Sequence, residues 1–267
     1  MTHEFVADEQ GGVSVVVAGH PQSYVSVADP GLLAFEYVQH LGAIIDVLEP
    51  GPLAVTHIGG AGLTLPRYVQ FARPGSPQIV LEPDEALTAR VRQELPLPRG
   101  HRIRVRGHDG RAGVAGLKDG SAQVVVLDAF TAQGSVPAEL VTTTALRDVA
   151  RVLAPGGVWL ANLPDEPGLR FVARVCASAA AAGLGHQVLV ATHEVLKGRR
   201  FGNVVLVAGA DPQPESTIRR RVARSPFPTG VRSEGEVARL RRTARELIDG
   251  EPGASPQAPD PGRWRVR

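Results

Sequence analysis

The chain of 267 residues holds one cysteine, Cys176. A lone cysteine rules out an intramolecular disulfide and any zinc site built on a cysteine cluster. Lysine is almost as scarce. Only Lys118 and Lys197 are present, so nearly all positive charge is arginine. No apolar run approaches the roughly 20 residues of a membrane-spanning helix. The first ten residues, MTHEFVADEQ, are acidic and lack the apolar stretch of a secretion signal. A soluble cytoplasmic protein is the expectation. A strong field of either sign is also missing, since the formal net charge is +2. Arg219 to Arg224 is a basic cluster, but it is one short run without interleaved aromatics. It reads as a solvated face or a contact with a partner subunit, not a nucleic-acid surface.

What is present is 43% hydrophobic residues, enough for one large core or a core with a small appended unit. Three regions follow one another. In residues 1–50, Gly12 to Val17 and Ser23 to Val27 alternate around Gly19-His20-Pro21 and read as a small antiparallel β unit. Asp29-Pro30 then signals a helix start, with the helix running to about Glu49. In residues 51–210, strand candidates are Ala54–Ile58, Gln78–Leu81, Arg102–Arg106, Ala122–Leu127, Gly157–Ala161, Gln187–Ala191 and Asn203–Val207. Helix candidates are Thr64–Ala72, Asp84–Leu95, Ala138–Val152 and Gly168–Ala182. This alternation predicts an α/β Rossmann-like fold, a seven-stranded, mostly parallel sheet with helices on both faces. Residues 211–267 form an extension. Glu234 to Ile248 reads as an amphipathic helix, and the Pro/Gly-rich end from Gly250 onward as a disordered tail.

Four features carry the chemistry. Gly59, Gly60 and Gly62 lie between a strand and a helix, where a backbone can approach a ligand closely. A tight turn in a chain with 30 glycines is the plainer reading. The turn is not GxGxxG, so a dehydrogenase pyrophosphate fingerprint fits poorly. Glu82 closes the next apolar run about 20 residues on, the spacing at which a carboxylate reaches ribose hydroxyls. A solvated glutamate at a helix start, with Pro83 and Asp84, is the alternative. Asp109 follows the third strand and could accept from an adenine amino group, though an Asp-Gly turn explains it equally. Asp128 ends the wholly apolar run Val124 to Leu127, at the carboxyl end of a central strand where such sheets bind ligands. It could orient an amine or sulfonium; a loop cap is the alternative. Asn162 after the next strand could face the same cleft or form an Asx turn. His108 and His40 read as structural.

Together these segments resemble the spermidine synthase family, aminopropyltransferases on the class I S-adenosylmethionine-dependent methyltransferase fold. The resemblance runs over about residues 10 to 210. It includes Gln22 in the N-terminal unit, Glu36 and His40 on the first helix, and the glycine turn ending in Arg67. Glu82, the segment Gly107 to Arg111, AQVVVLDAF and ALRDVARVLAPGGVWLANL complete it. The resemblance implies transfer of an alkyl group from a sulfonium nucleoside to an amine. The donor would be S-adenosylmethionine, its decarboxylated form, or the related methylthioadenosine as ligand, with no metal and a homodimeric assembly. The implied cofactor-binding residues are Gln22, Gly59, Gly60, Gly62, Glu82, Pro83, Asp109, Gly110, Asp128 and Ala129. Asp128 is the implied catalytic residue.

The departures fall on the reacting end. The family's Asp-Ser-Ser-Asp segment reads Asp128-Ala129-Phe130-Thr131, so the second carboxylate is a threonine. Its Gly-Gly-Gly-Asp-Gly turn reads Gly59-Gly60-Ala61-Gly62-Leu63, and its Tyr-His pair reads Ala34-Phe35. Lys197 to Asn203 occupies the place of its Pro-Ser-Tyr-Pro-Ser-Gly segment. Glu36, Asp128, Asp165 or Glu166 could supply the missing carboxylate, and Arg67 or Arg199 near the cleft would favour an anionic ligand. The expected function is a spermidine synthase-like transferase with altered amine recognition. A methyltransferase and a non-catalytic nucleoside-binding or oligomeric relative are the alternatives.

Overall fold

The computed structural model describes residues 3–258 apart from 18 and 252. The N-terminal unit is an antiparallel meander of β1 (His3–Ala7), β2 (Gly12–Val17) and β3 (His20–Ser26). It packs Val15, Val17 and Val25 against Val80, Leu87, Val91 and Leu95. The expected helix start at Asp29 is instead a turn: Asp29 Oδ1 accepts from Gly31 N, and its carbonyl accepts from Leu32 N. Helix α1 (Glu36–Asp46) begins only after Phe35.

The chain then alternates through β4 (Val55–Ile58), α2 (Thr64–Ala72), β5 (Gln78–Leu81), α3 (Glu85–Glu94), β6 (Ile103–Arg106), α4 (Gly110–Ala115) and β7 (Ala122–Leu127). It continues through α5 (Thr143–Val152), β8 (Leu153–Asp165), α6 (Arg170–Ala181), β9 (His186–Thr192), the short α7 (His193–Leu196) and β10 (Gly202–Gly209). The C-terminal elements are α8 (Glu215–Val222), β11 (Thr229–Arg232) and α9 (Glu234–Arg241). The sheet order is β11-β9-β10-β8-β7-β4-β5-β6. The five strands from β8 to β6 are parallel, while β10 and β11 pair antiparallel with their neighbours. This is the class I methyltransferase-type α/β arrangement, with one strand, β11, beyond the seven expected. The missed strand is TGVR, too short and too glycine-marked to carry a period.

Side-chain alternation builds the layers. From β7, Val124 and Val126 face the helix layer containing Leu41, Ile45 and Val69, with Ile218 of α8. Val125 and Leu127 face Leu146, Val149, Val172 and Cys176 on the other side. The basic cluster sits on α8. Ile218 and Val222 are buried there, while Arg219 pairs with Glu215 and Arg221 with Asp46. The arginines are therefore the solvated edge of an amphipathic helix.

Two expected helices are cut short. Residues 138–152 split because Ala138–Leu140 forms a single 3-10 turn and Thr142 restarts the chain as N-cap of α5. The expected helix 234–248 stops at Arg241. Leu247 nevertheless reaches the core, with its N–H on Ser178 Oγ at 2.7 Å. Within the expected tail, Ser255 is also buried, and its hydroxyl accepts from Val136 N at 2.8 Å. Residues 259–267 of that tail lie outside the described residues. No helix among the described residues is long and apolar enough to cross a membrane.

Candidate functional site

Strand order reverses between β4 and β7: the chain leaves β4 toward β5 and β6, then returns to β7 and β8 on the other side. Open α/β sheets present a crevice at the carboxyl ends of such strands. Here that crevice is a cleft of about 320 Å³. Gln22, Gly59, Gly60, Glu82, Pro83, Asp109, Gly110, Asp128 and Ala129 all line it. Gly62 does not. It is buried under the meander, donating to Ser23 Oγ at 3.1 Å, and an added Cβ would sit 2.9 Å from Ser23 Cβ and Val25 Cγ2. It is a glycine for close packing of the N-terminal unit.

Gly59 needs to be glycine for a different reason. Its φ is +87°, and a Cβ would lie 2.4 Å from the carbonyl oxygen of Asp128. The turn then takes Ala61 (φ 36°) and Leu63 (φ 62°) through the left-handed region. Each such non-glycine residue costs roughly 1–2 kcal/mol. Glu82 offsets this. Its Oε2 accepts from Gly60 N (3.1 Å) and Ala61 N (3.2 Å), and its Oε1 accepts from Asp84 N (3.0 Å). A carboxylate has about four acceptor sites, so these three leave about one for a ligand. Glu82 is thus first the clamp of the glycine turn, a role that spacing alone did not suggest.

Asp109 is the N-cap of α4, accepting from Ala112 N at 3.0 Å, and remains exposed at the cleft. An α-helical cap, not an Asp-Gly turn, explains its local geometry. Gly110 beside it has no room for a side chain, since a Cβ would meet Ile58 Cγ2 at 2.4 Å.

Asp128 stands at the end of β7. Burial pushes its carboxyl up to about 6, and a hydrogen bond from Asn162 Nδ2 at 2.9 Å pulls the other way. Asn162 is fully buried inside β8, which continues to Asp165 instead of ending at Ala161, so no Asx turn forms there. Its Oδ1 has no partner among the described residues. Tyr37 was missed by sequence reasoning. Burial and the nearby Asp128 charge both hold its phenol well above the ordinary value. It stacks on Phe35 with ring centroids 6.0 Å apart. The available signal was its position on the first turn of α1, beside the already suspected Glu36. Beneath the turn, buried His57 meets Gln78 Oε1 through Nε2 at 2.8 Å, and burial lowers it to about 4.

No protein-family model and no curated protein matches the chain. Solved structures do. A probable spermidine synthase from Corynebacterium glutamicum ATCC 13032 is 28% identical, with a TM-score of 0.82 over 96% of this chain and 95% of that one. Over nearly its whole length the chain is similar to this spermidine synthase. Spermidine synthase from Thermotoga maritima shares the fold at 16% identity and a TM-score of 0.59, covering 89% of this chain and 79% of that chain. Human methyltransferase-like protein 13, solved with SAH, shares it at 20% identity and 0.57, covering 81% and 97%. Spermidine synthases and methyltransferases are transferases.

The proposed replacement carboxylates are mostly committed elsewhere. Asp165 is fully buried and caps α6, accepting from Glu166 N and Val172 N at 2.9 Å each. Glu36 faces Arg200 at 3.5 Å; its burial raises the carboxyl and Arg200 lowers it. Glu166 is exposed and does not line the cleft. Arg67 is buried and donates to the carbonyls of Gly62, Leu95 and Pro96, so it ties the meander side together and is no anion site. Arg199 pairs with Glu194. Thr131 Oγ1 accepts from Gln133 N and Ser135 N, so the hydroxyl braces its own loop.

Proposed function

We propose that the protein binds a nucleoside of the S-adenosylmethionine type and transfers an alkyl group from it to a small acceptor. The observation that carries this reading is the convergence of Glu82, Asp109, Asp128 and the tight Gly59 turn on one 320 Å³ cleft. The residues present fit such a ligand. Gly59 and Gly60 keep that wall free of side chains, Glu82 keeps an acceptor site for ribose, and Asp109 faces the cleft for a base. The fold is shared with human methyltransferase-like protein 13, solved with SAH, and with a spermidine synthase solved with the transition-state analogue AdoDATO.

A bound sulfonium supplies an already activated carbon. The chain's own contribution is positioning and proton removal. Among the described residues Asp128 is the one carboxylate that lines both the cleft and the small chamber beside it. With its carboxyl near 6 it is ionised at neutral pH and basic enough to take a proton. As the acceptor nitrogen bonds to carbon, the carbon–sulfur bond breaks, sulfur becomes a neutral thioether, and the nitrogen's proton passes to Asp128. Polyamine aminopropyl transfer is the finer form suggested by resemblance. Methyl transfer from intact S-adenosylmethionine is the second reading. It is favoured by the absence of a carboxylate on the glycine turn and by the bracing role of Thr131. A cytoplasmic homodimer goes with either.

Calorimetric titration with S-adenosylmethionine, decarboxylated S-adenosylmethionine and methylthioadenosine tests the proposal. Binding of at least one, weakened by Asp128→Asn or Glu82→Ala, is expected. No binding by a folded protein to any of the three refutes it. Binding with no turnover on amines excludes aminopropyl transfer and leaves methyl transfer to another acceptor or a non-catalytic nucleoside-binding protein.

A further inference from the structure

Next to the cleft is a second chamber, and the two spaces share Gln22, Gly59, Gly60 and Asp128 as walls. The chamber measures about 20 Å³ against about 320 Å³ for the cleft. A cavity holds one water at about 10–15 Å³ on this measure, so the chamber takes one water or one methyl-sized group. Its far walls are Phe35, Tyr37, Val38 and Leu65. Val38 and Leu65 are buried, and the Phe35 and Tyr37 rings stack on each other.

The order of the strands says which end of a nucleoside meets this chamber. Across the sheet run β6, β5, β4 and β7. Asp109 follows β6, Glu82 follows β5, Gly59 follows β4 and Asp128 follows β7. A base at Asp109 and a ribose at Glu82 point the 5′ carbon toward Gly59 and Asp128, at the chamber mouth. This orientation rests on the nucleoside reading given above. A charged tail directed there meets the carboxylate of Asp128, which already accepts from Asn162 Nδ2. Among the described residues Asp128 is the one carboxylate on the chamber walls, and its neighbours there are a neutral phenol, Tyr37, and a neutral imidazole, His57.

We propose that Phe35 is a specificity-determining residue. Stacked on Tyr37, it closes the chamber, so the site favours a nucleoside with an uncharged 5′ group of methylthio size over one with a charged amino-acid or aminopropyl tail. The longer donors enter by displacing Phe35, and their affinity is reduced by the cost of doing so.

Titration of the full chain with methylthioadenosine, S-adenosylmethionine and decarboxylated S-adenosylmethionine reads this directly. Methylthioadenosine binds about tenfold or more tightly than either sulfonium nucleoside. In Phe35→Ala that ratio falls to about threefold or less, because the chamber gains room for the tail. The ratio is internal to one protein, so a general loss of stability does not mimic its change. Equal or tighter binding of either sulfonium by the unaltered protein overturns the proposal, as does an unchanged ratio in Phe35→Ala. Silence from all three ligands overturns the nucleoside reading and this inference together, whereas binding of all three with equal affinity overturns this inference alone.

Discussion

Replacing Asp128 with asparagine should strengthen the fold while weakening the site. A carboxyl moved from 3.8 to about 6 on folding holds its proton more tightly in the native state. Between those two values the folded protein binds more protons than the unfolded chain, so stability falls as pH rises through 6. The full displacement corresponds to ~3 kcal/mol, and about 1 kcal/mol is a lower bound because the group touches the open cleft. Asparagine removes this loss. Its amide oxygen can keep the bond from Asn162 Nδ2, and its NH2 is offered to the Asn162 Oδ1 that has no partner among the described residues. Urea denaturation of both proteins from pH 4 to pH 8 gives the test. Asp128→Asn should be ~1–3 kcal/mol more stable at pH 8, with the difference shrinking to about 1 kcal/mol or less near pH 4. Buried His40 and His57 titrate in the same range but are common to both proteins and cancel. Nucleoside affinity should fall in the variant. A variant that is less stable at pH 8, or a difference that does not vary with pH, refutes the reasoning.

Other outcomes follow from the same geometry. Gly59→Ala should cost ~2 kcal/mol or more, because φ is +87° and the new Cβ meets the Asp128 backbone; a melting curve within a degree of the parent contradicts this. Glu82→Ala leaves three backbone N–H groups without their acceptor and should lower nucleoside affinity about tenfold, while Glu82→Gln, which keeps one oxygen, should lose less. His40 and His57 are both held near 4 by burial. Each therefore contributes stability above 6.5 that is lost as pH falls toward 4, and His57→Gln should flatten the acid limb of the urea-midpoint profile. Leu247→Ala should cost ~2–5 kcal/mol although it lies beyond the last helix, and hydrogen exchange should quicken at Val136, which the same C-terminal segment ties down through Ser255.

The parallel core was legible because both faces of its strands are buried. Val124 to Leu127 is apolar at every position, and the glycines and carboxylates sit at the strand ends. Nine of the ten expected binding residues line the cleft, eight of them because loops after the carboxyl ends of parallel strands fall in a fixed place. What was not legible depends on contacts distant in sequence. Gly62 faces Ser23, thirty-nine residues away, so its glycine serves packing against the meander. Asn162 reads as a turn residue until β8 is seen to run on to Asp165. Thr142 was hidden because the apolar pattern of 138–152 continues through its cap. The helical period continues to Ile248 although the helix stops at Arg241, and Leu247 and Ser255 are instead held by bonds to Ser178 and Val136.

A crystal structure of the protein with methylthioadenosine tests the central claim most directly. The account predicts the base beside Asp109, the ribose on Glu82 and the sulfur at the chamber mouth between Gly59 and Asp128. A ligand bound elsewhere, or held in the cleft with its 5′ end turned toward Asp109, would contradict it.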